Sequence, residues 1–246
     1  MKALVLDGLV KRHGTRAALD NVSFSIEAEQ FVALVGPSGS GKTTLLKSIN
    51  RLVAPDEGRI LIEGRDVREV PVAELRHGIG YVIQSIGLFP HMNVAENINI
   101  VPKLMGQGSE DRTPELLELV ALPAEMASRY PRELSGGQAQ RVGFARALAA
   151  GPKLMLMDEP FGALDPVTRD SLGRAYRDLH ERLGLTTLMV THDIAEALLL
   201  ADRIVVLIDG RIRADGTPAE LLANEDADVK AMIDVPRRQA ERLASL

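Results

Sequence analysis

The chain of 246 residues contains no cysteine and no tryptophan, and it has only three tyrosines and five phenylalanines. Without cysteine, a disulfide framework, a thiolate zinc site and a thiol nucleophile are excluded. Long apolar runs are missing too. The longest, such as residues 204–208, fall far short of the roughly 18 residues that a membrane-spanning helix needs. Neither sign of charge dominates: 29 Lys and Arg stand against 34 Asp and Glu, a formal net charge of −5. That balance exerts no general pull on nucleic acid. Residues 1–10 carry Asp7 and lack a small-residue cleavage pattern, so they do not read as a signal peptide. The length suits one large domain or two small ones with a full core. The expectation is a cytoplasmic protein with few aromatic groups available to a ligand.

Strand signals appear at residues 4–6 and at 22–26, where VSFSI alternates apolar with polar. Residues 31–35 form a continuous apolar run ending at Gly36, the pattern of a fully buried strand in a parallel sheet. A helix is expected over 42–52. Further buried strands are expected at 81–83, 154–157, 187–190 and 204–208, with helical patterns such as 167–183 between most of them. Alternating strands and helices indicate an α/β domain with a mainly parallel sheet. From about 93 to 150 the pattern is helical instead. Asn93 caps a helix to Met105, another covers 114–120, and Ser135 caps a third through Ala149. This block, punctuated by Pro90, Pro102, Pro114, Pro123 and Pro131, reads as an inserted subdomain over about 88–152. Residues 1–222 form one domain, and 223–246 a short helical tail.

Gly36-Pro37-Ser38-Gly39-Ser40-Gly41-Lys42-Thr43 fits G-x-x-x-x-G-K-[ST] between a strand and a helix. Glycines let successive N–H groups curl around phosphate oxygens, and the helix N-terminus adds positive potential. Lys42 can reach the β- and γ-phosphates, and the Thr43 hydroxyl can ligate Mg²⁺; Thr44 follows on the same turn. Residues 154–157 deliver Asp158 and Glu159 at a strand end, where α/β sheets bind ligands. Asp158 can hold Mg²⁺ through water, and Glu159 can act as general base toward an attacking water; a helix-capping acid is the structural alternative. Gln84 follows a strand and can bear on Mg²⁺ or on the water. His192 ends another. Asp165 can tune the water site or serve as a turn or cap residue. His180 reads as a bland histidine on a charged helix face.

Leu134-Ser135-Gly136-Gly137-Gln138 lies ahead of a helix, about twenty residues before the acid strand. Together with GPSGSGKT, Gln84, MDEP, ALD and TH, it resembles the nucleotide-binding subunit of ATP-binding cassette (ABC) transporters, over about residues 6–222. The resemblance implies a P-loop NTPase fold with a RecA-like sheet, a small antiparallel β subdomain and the inserted helices. It implies ATP and Mg²⁺ as ligands. It also implies a head-to-tail homodimer in which Ser135, Gly136, Gly137 and Gln138 meet the γ-phosphate held by the other copy. Integral membrane permease subunits are the implied partners, with an extracytoplasmic solute-binding protein acting indirectly and no nucleic acid. The implied location is peripheral, at the cytoplasmic face of the inner membrane. His13 stands where the family usually places an aromatic adenine platform; imidazole still stacks, over less area. The apolar loop 85–92 is either a buried connection or the groove for a permease helix. Residues 79–98 and 101–104 look like importers of osmoprotectants such as glycine betaine, choline or carnitine. Uptake of polar amino acids or another small solute is the alternative within transport, and a soluble non-transport ABC ATPase the alternative outside it. Some members of the osmoprotectant branch carry CBS domains after the ATPase, for which a chain stopping at Leu246 has no room.

Overall fold

A computed structural model describes residues 1–85, 87–106 and 112–244 of the chain. In chain order the strands are β1 (Lys2–His13), β2 (Arg16–Glu27), β3 (Phe31–Val35), β4 (Glu57–Ile62), β5 (Arg65–Asp66), β6 (Ile79–Val82), β7 (Leu154–Asp158), β8 (Thr186–Thr191), β9 (Arg203–Ile208) and β10 (Arg211–Gly216). The helices are α1 (Lys42–Ile49), α2 (Val72–His77), α3 (Val94–Leu104), α4 (Thr113–Leu119), α5 (Gly136–Leu148), α6 (Pro166–Leu183), α7 (Ile194–Leu200), α8 (Pro218–Leu222) and α9 (Ala227–Ala244). Two compact units result. One joins Met1–Glu69 to the chain from Leu188 onward, and the other is Val70–Thr187.

In the first unit, an antiparallel sheet in the order β2-β1-β4-β5 forms a layer of its own. Its register places Leu4 opposite Ile26, Leu6 opposite Phe24 and Leu9 opposite Val22, and all six are buried. A one-residue slip would turn this set toward solvent. The other sheet of the unit runs β10-β9-β3-β8. β3 pairs parallel with β9, Val32 beside Arg203 through Val35 beside Val206, and β3 is buried along its whole length. α1 ends at Ile49, three residues short of the sequence expectation, because Arg51 takes a left-handed φ of 50°. The expected tail holds one helix, α9, which packs on α7, and its Val229 and Ile233 are buried; α8 precedes the tail. Ser245 and Leu246, at the end of the expected tail, lie outside the described residues.

In the second unit, β6 and β7 pair in parallel, Ile79 beside Leu154 through Val82 beside Met157. The close approach needs Gly80, where any Cβ would overlap the Met155 sulfur. α3 and α4 pack on α5. The helix starts are chemically specified: Asn93 and Glu96 form a capping box at α3, and Ser135 and Gln138 form one at α5. α6 begins on Asp165 with Pro166 at its first position and stops at Gly184, φ 58°. An aromatic cluster fills the core. Phe144 of α5 stacks on Tyr176 of α6 with ring centroids 5.2 Å apart and leans on Phe161 at 5.8 Å.

His180 departs from its expected place. It is buried, and its Nδ1 lies 3.0 Å from Thr187 Oγ1, which also meets the Tyr176 hydroxyl at 2.9 Å. Leu172, Tyr176 and His180 stand four residues apart on one stripe of α6, so the charged face begins beside His180 rather than at it. Because Phe144 is enclosed by two rings, Phe144→Ala is expected to destabilise the protein by about 3–5 kcal/mol, with Phe144→Leu costing less. Denaturant unfolding of the two variants against the parent measures both.

Candidate functional site

The phosphate-type loop lies in the first unit, between β3 and α1. Two of its glycines are dictated by contact. A Cβ on Gly36 would overlap the Leu207 carbonyl oxygen, and a Cβ on Gly41, φ 106°, would overlap that of Ala18. The loop's own carbonyls are turned to donors. Lys42 Nζ donates to Gly36 O at 2.7 Å and to Pro37 O at 3.0 Å. Arg16 Nη2 donates to Gly39 O at 3.2 Å, and the Gly210 amide donates to Ser40 O at 3.0 Å. Ser38 stands exposed at the loop's outer turn. Ser40 is only 2% exposed, and its Oγ is buried without a hydrogen-bond partner. A buried hydroxyl in that condition costs free energy until a ligand oxygen satisfies it. Thr43 and Thr44 follow, half-buried in the first turn of α1. The loop is therefore a cradle for an anion. His13, at the end of β1, and His192, just after β8, are exposed in the same unit.

The acid strand lies in the second unit. β7 is buried throughout and ends on Asp158, itself 5% exposed. Burial first, and the Asp158 charge second, push the Tyr81 hydroxyl up to about 12. Glu159 adopts a left-handed φ of 46°, an uncommon conformation for a side chain of its size. Its carboxylate accepts a hydrogen bond from Gln84 Nε2, 2.9 Å from Oε2. Two residues expected to act on one water are thus in direct contact. Among the described residues no group of three or more His, Cys, Asp or Glu could hold a metal ion alone.

Ser135 caps α5, its Oγ 3.3 Å from the Gln138 amide, while Gln138 Oε1 accepts the Ser135 amide at 2.9 Å. A Cβ on Gly137 would stand 2.8 Å from the Thr168 methyl, and Gly136 is exposed. Asp165 takes the capping alternative. Its Oδ1 accepts the Val167 and Thr168 amides at 3.1 and 3.0 Å.

Two residues that pattern reasoning missed hold the loop after Gln84. Buried Asn97 accepts the Phe89 amide at 2.8 Å and donates to the carbonyls of Phe89, Met92 and Asn93. Arg146 of α5 donates to Gly87 O at 2.6 Å, and burial holds its guanidinium below the ordinary arginine value. An Asn inside the apolar run of α3 was the available signal for the first; no local signal marks the second. The loop leaves Phe89 39% exposed, and Ile86 lies outside the described residues.

Residues 19–162 match the family described as ABC transporter. The choline transport ATP-binding protein OpuBA of Bacillus subtilis is 51% identical over 90% of this chain and 59% of its own length. The glycine betaine/carnitine/choline transport ATP-binding protein OpuCA of the same organism is 53% identical over 86% of this chain and 56% of its own. The chain therefore spans little more than half the length of these relatives. Among solved structures, the dimeric structure of MJ0796, a bacterial ABC transporter cassette, superposes with a TM-score of 0.77 at 35% identity. That match covers 87% of this chain and 98% of the other.

The Asp165 cap carries a pH dependence. The Thr168 side-chain hydrogen bond, then the backbone amides, hold its carboxyl below the ordinary 3.8. A lowered carboxyl contributes its stabilisation above the unfolded value and loses it as pH falls through the folded one. The stability difference between the parent and Asp165→Ala should therefore shrink as pH drops from about 5 to about 3. Paired denaturation curves across that range measure it, and a constant difference would exclude the charged cap.

Proposed function

Because the chain belongs to the ABC transporter family, we propose that it binds and hydrolyses ATP to power an importer of quaternary-amine osmoprotectants such as glycine betaine, choline or carnitine. The observation that carries this is the cradle at residues 36–43, whose carbonyls are bonded away and whose buried Ser40 hydroxyl awaits an acceptor or donor. A polyphosphate supplies that oxygen. Backbone amides of Gly36, Ser38, Gly39, Ser40 and Gly41, with Lys42 and Thr44, hold the phosphates, and Pro37, which has no N–H, shapes the turn between them. His13 stacks on the adenine.

The Asp158 carboxylate, the Thr43 hydroxyl and the Gln84 amide oxygen would hold Mg²⁺ arriving with the nucleotide, since hard cations take oxygen donors. When bound, it neutralises charge on the phosphates. Glu159 accepts a proton from the water whose oxygen bonds to the γ-phosphorus, while the bond from that phosphorus to the β-bridging oxygen breaks, leaving ADP and phosphate. The Gln84 amide orients that carboxylate, and His192 contacts the γ-phosphate.

The cassette works as a head-to-tail dimer in which Ser135, Gly136, Gly137 and Gln138 of one copy reach the ATP held by the other. The dimeric MJ0796 cassette supports this arrangement. Among the described residues no helix is long and apolar enough to cross a membrane. In the proposed importer the pore belongs to permease subunits, with the cassette peripheral at the cytoplasmic face and the loop around Phe89 as its contact. The choice of solute rests on the printed functions of OpuBA and OpuCA.

Glu159→Gln should keep ATP binding and lose about 10²- to 10⁴-fold in hydrolysis; parent-level turnover would remove Glu159 as the base. Lys42→Ala should weaken ATP binding roughly 10- to 100-fold, the worth of its charge-assisted bonds, as titration calorimetry reads directly. In the complex reconstituted with its permease and binding protein, glycine betaine, choline or carnitine should stimulate ATPase activity. Stimulation by a polar amino acid instead would reassign the solute.

A further inference from the structure

We infer that Arg16 is a positioning residue of the phosphate loop, holding the peptide after Gly39 in the orientation that lets the loop accept a polyphosphate. The inference rests on the nucleotide reading above and names a residue outside the G-x-x-x-x-G-K-[ST] motif. Gly39 has a φ of 79° and no side chain near enough to obstruct it except the Arg16 guanidinium, 3.5 Å from where its Cβ would be. A glycine peptide rotates at little steric cost. If the bond after Gly39 flipped, its carbonyl would meet the Pro37 carbonyl that the Ser40 amide now reaches, and the turn that shapes the loop would open.

Two contacts oppose that flip, and a third fixes the next peptide. Arg16 Nη2 donates to Gly39 O at 3.2 Å and the Ser40 amide donates to Pro37 O at 3.2 Å, while the Gly210 amide donates to Ser40 O at 3.0 Å. The first is the only one of them made by a side chain. Lys42 also bonds loop carbonyls, those of Gly36 and Pro37, but its three donor hydrogens are the ones phosphate oxygens compete for. Arg16 has five donors in a fork and carries no such assignment, so its hold on Gly39 persists when the ligand is bound.

The geometry of the β1–β2 hairpin gives Arg16 a second consequence. A two-residue turn at Gly14 and Thr15, with Gly14 at φ 61°, sets His13 directly opposite Arg16. Directly opposed cross-strand residues project from the same face of a sheet. The imidazole therefore leaves the hairpin on the face that Arg16 turns toward the loop, and the Arg16–Gly39 bond ties the hairpin tip carrying His13 to the loop.

The test compares the full chain with Arg16→Ala and Arg16→Lys. Binding of Mg-ATP and of Mg-tripolyphosphate, which has the phosphates and no base, is measured by calorimetry and competition, alongside the melting temperature without ligand. Arg16→Ala should lose about five- to tenfold in affinity for both ligands, the worth of one ordinary solvent-exposed hydrogen bond. Its melting temperature should stay unchanged, and the loss should appear in KM rather than kcat. Arg16→Lys should recover part of the affinity. Equal affinity in parent and Arg16→Ala overturns the inference. So does a loss confined to ATP, which would make Arg16 a base contact, or a loss tracking a lower melting temperature, which would make it a structural residue. A parent chain that binds neither ligand overturns the nucleotide reading itself, and the inference with it.

Discussion

A backbone that binds a polyanion must turn its carbonyls away from the ligand, and every carbonyl turned away needs a donor behind it. That constraint organises the first unit. Gly36 and Gly41 have no room for a Cβ because the Leu207 and Ala18 carbonyls press against them, so β9 and β2 together set the width of the loop. The turn between β9 and β10 supplies the Gly210 amide to Ser40, and the Gly210 carbonyl in turn accepts the Asp20 amide at 2.9 Å. Arg211 then pairs with Asp20 at 2.6 Å. The antiparallel sheet therefore does more than cover a hydrophobic face. Through Arg16, Ala18 and Asp20, a single strand touches the loop and the turn that braces it.

The second unit solves a different problem: keeping a carboxylate aimed. Glu159 leaves β7 in a left-handed conformation, which side chains adopt at a cost of order 1–3 kcal/mol when the surroundings enforce it. Phe161, two residues on, is locked against Phe144, and Phe144 against Tyr176. Since Phe144 lies on the helix that Ser135 caps, the acid and the glycine pair at the start of α5 share one rigid core. Gln84 completes the hold from a loop that Asn97 and Arg146 fasten. A rotation of α5 would reach Gln84 through Arg146 and Glu159 through Phe144.

Most elements and motifs were legible because their signals are local. The buried run at residues 31–35, the capping boxes at Asn93 and Ser135, and the Asp165-Pro166 helix start each lie within a few neighbouring positions. What escaped is set by distant partners. β4 and β5 are short and largely exposed; β4 becomes a strand only beside β1, and β5 only beside β4. His180 is buried because Thr187 waits for it across seven residues. Gly210 is 170 positions from the Ser40 carbonyl it serves. Arg146 and Arg16 have nothing in their immediate sequence that distinguishes them from surface arginines; their acceptors are carbonyls of loops whose path only the fold defines.

The scarcity of aromatic side chains has a structural account. Phe24, Phe31, Phe144, Phe161 and Tyr176 are core residues, and Tyr81 is half-buried beside Asp158. Only Phe89 and Tyr130 reach the surface appreciably, each 39% exposed. Recognition of a quaternary ammonium draws on several aromatic faces converging on one cation. Two rings do not make such a cage, least of all when Phe89 already meets the His91 ring edge-on at 6.0 Å and Tyr130 lies under the Arg132 guanidinium. A chain composed this way offers a cationic solute few aromatic faces. Relatives that share about half of its sequence are named for different sets of solutes.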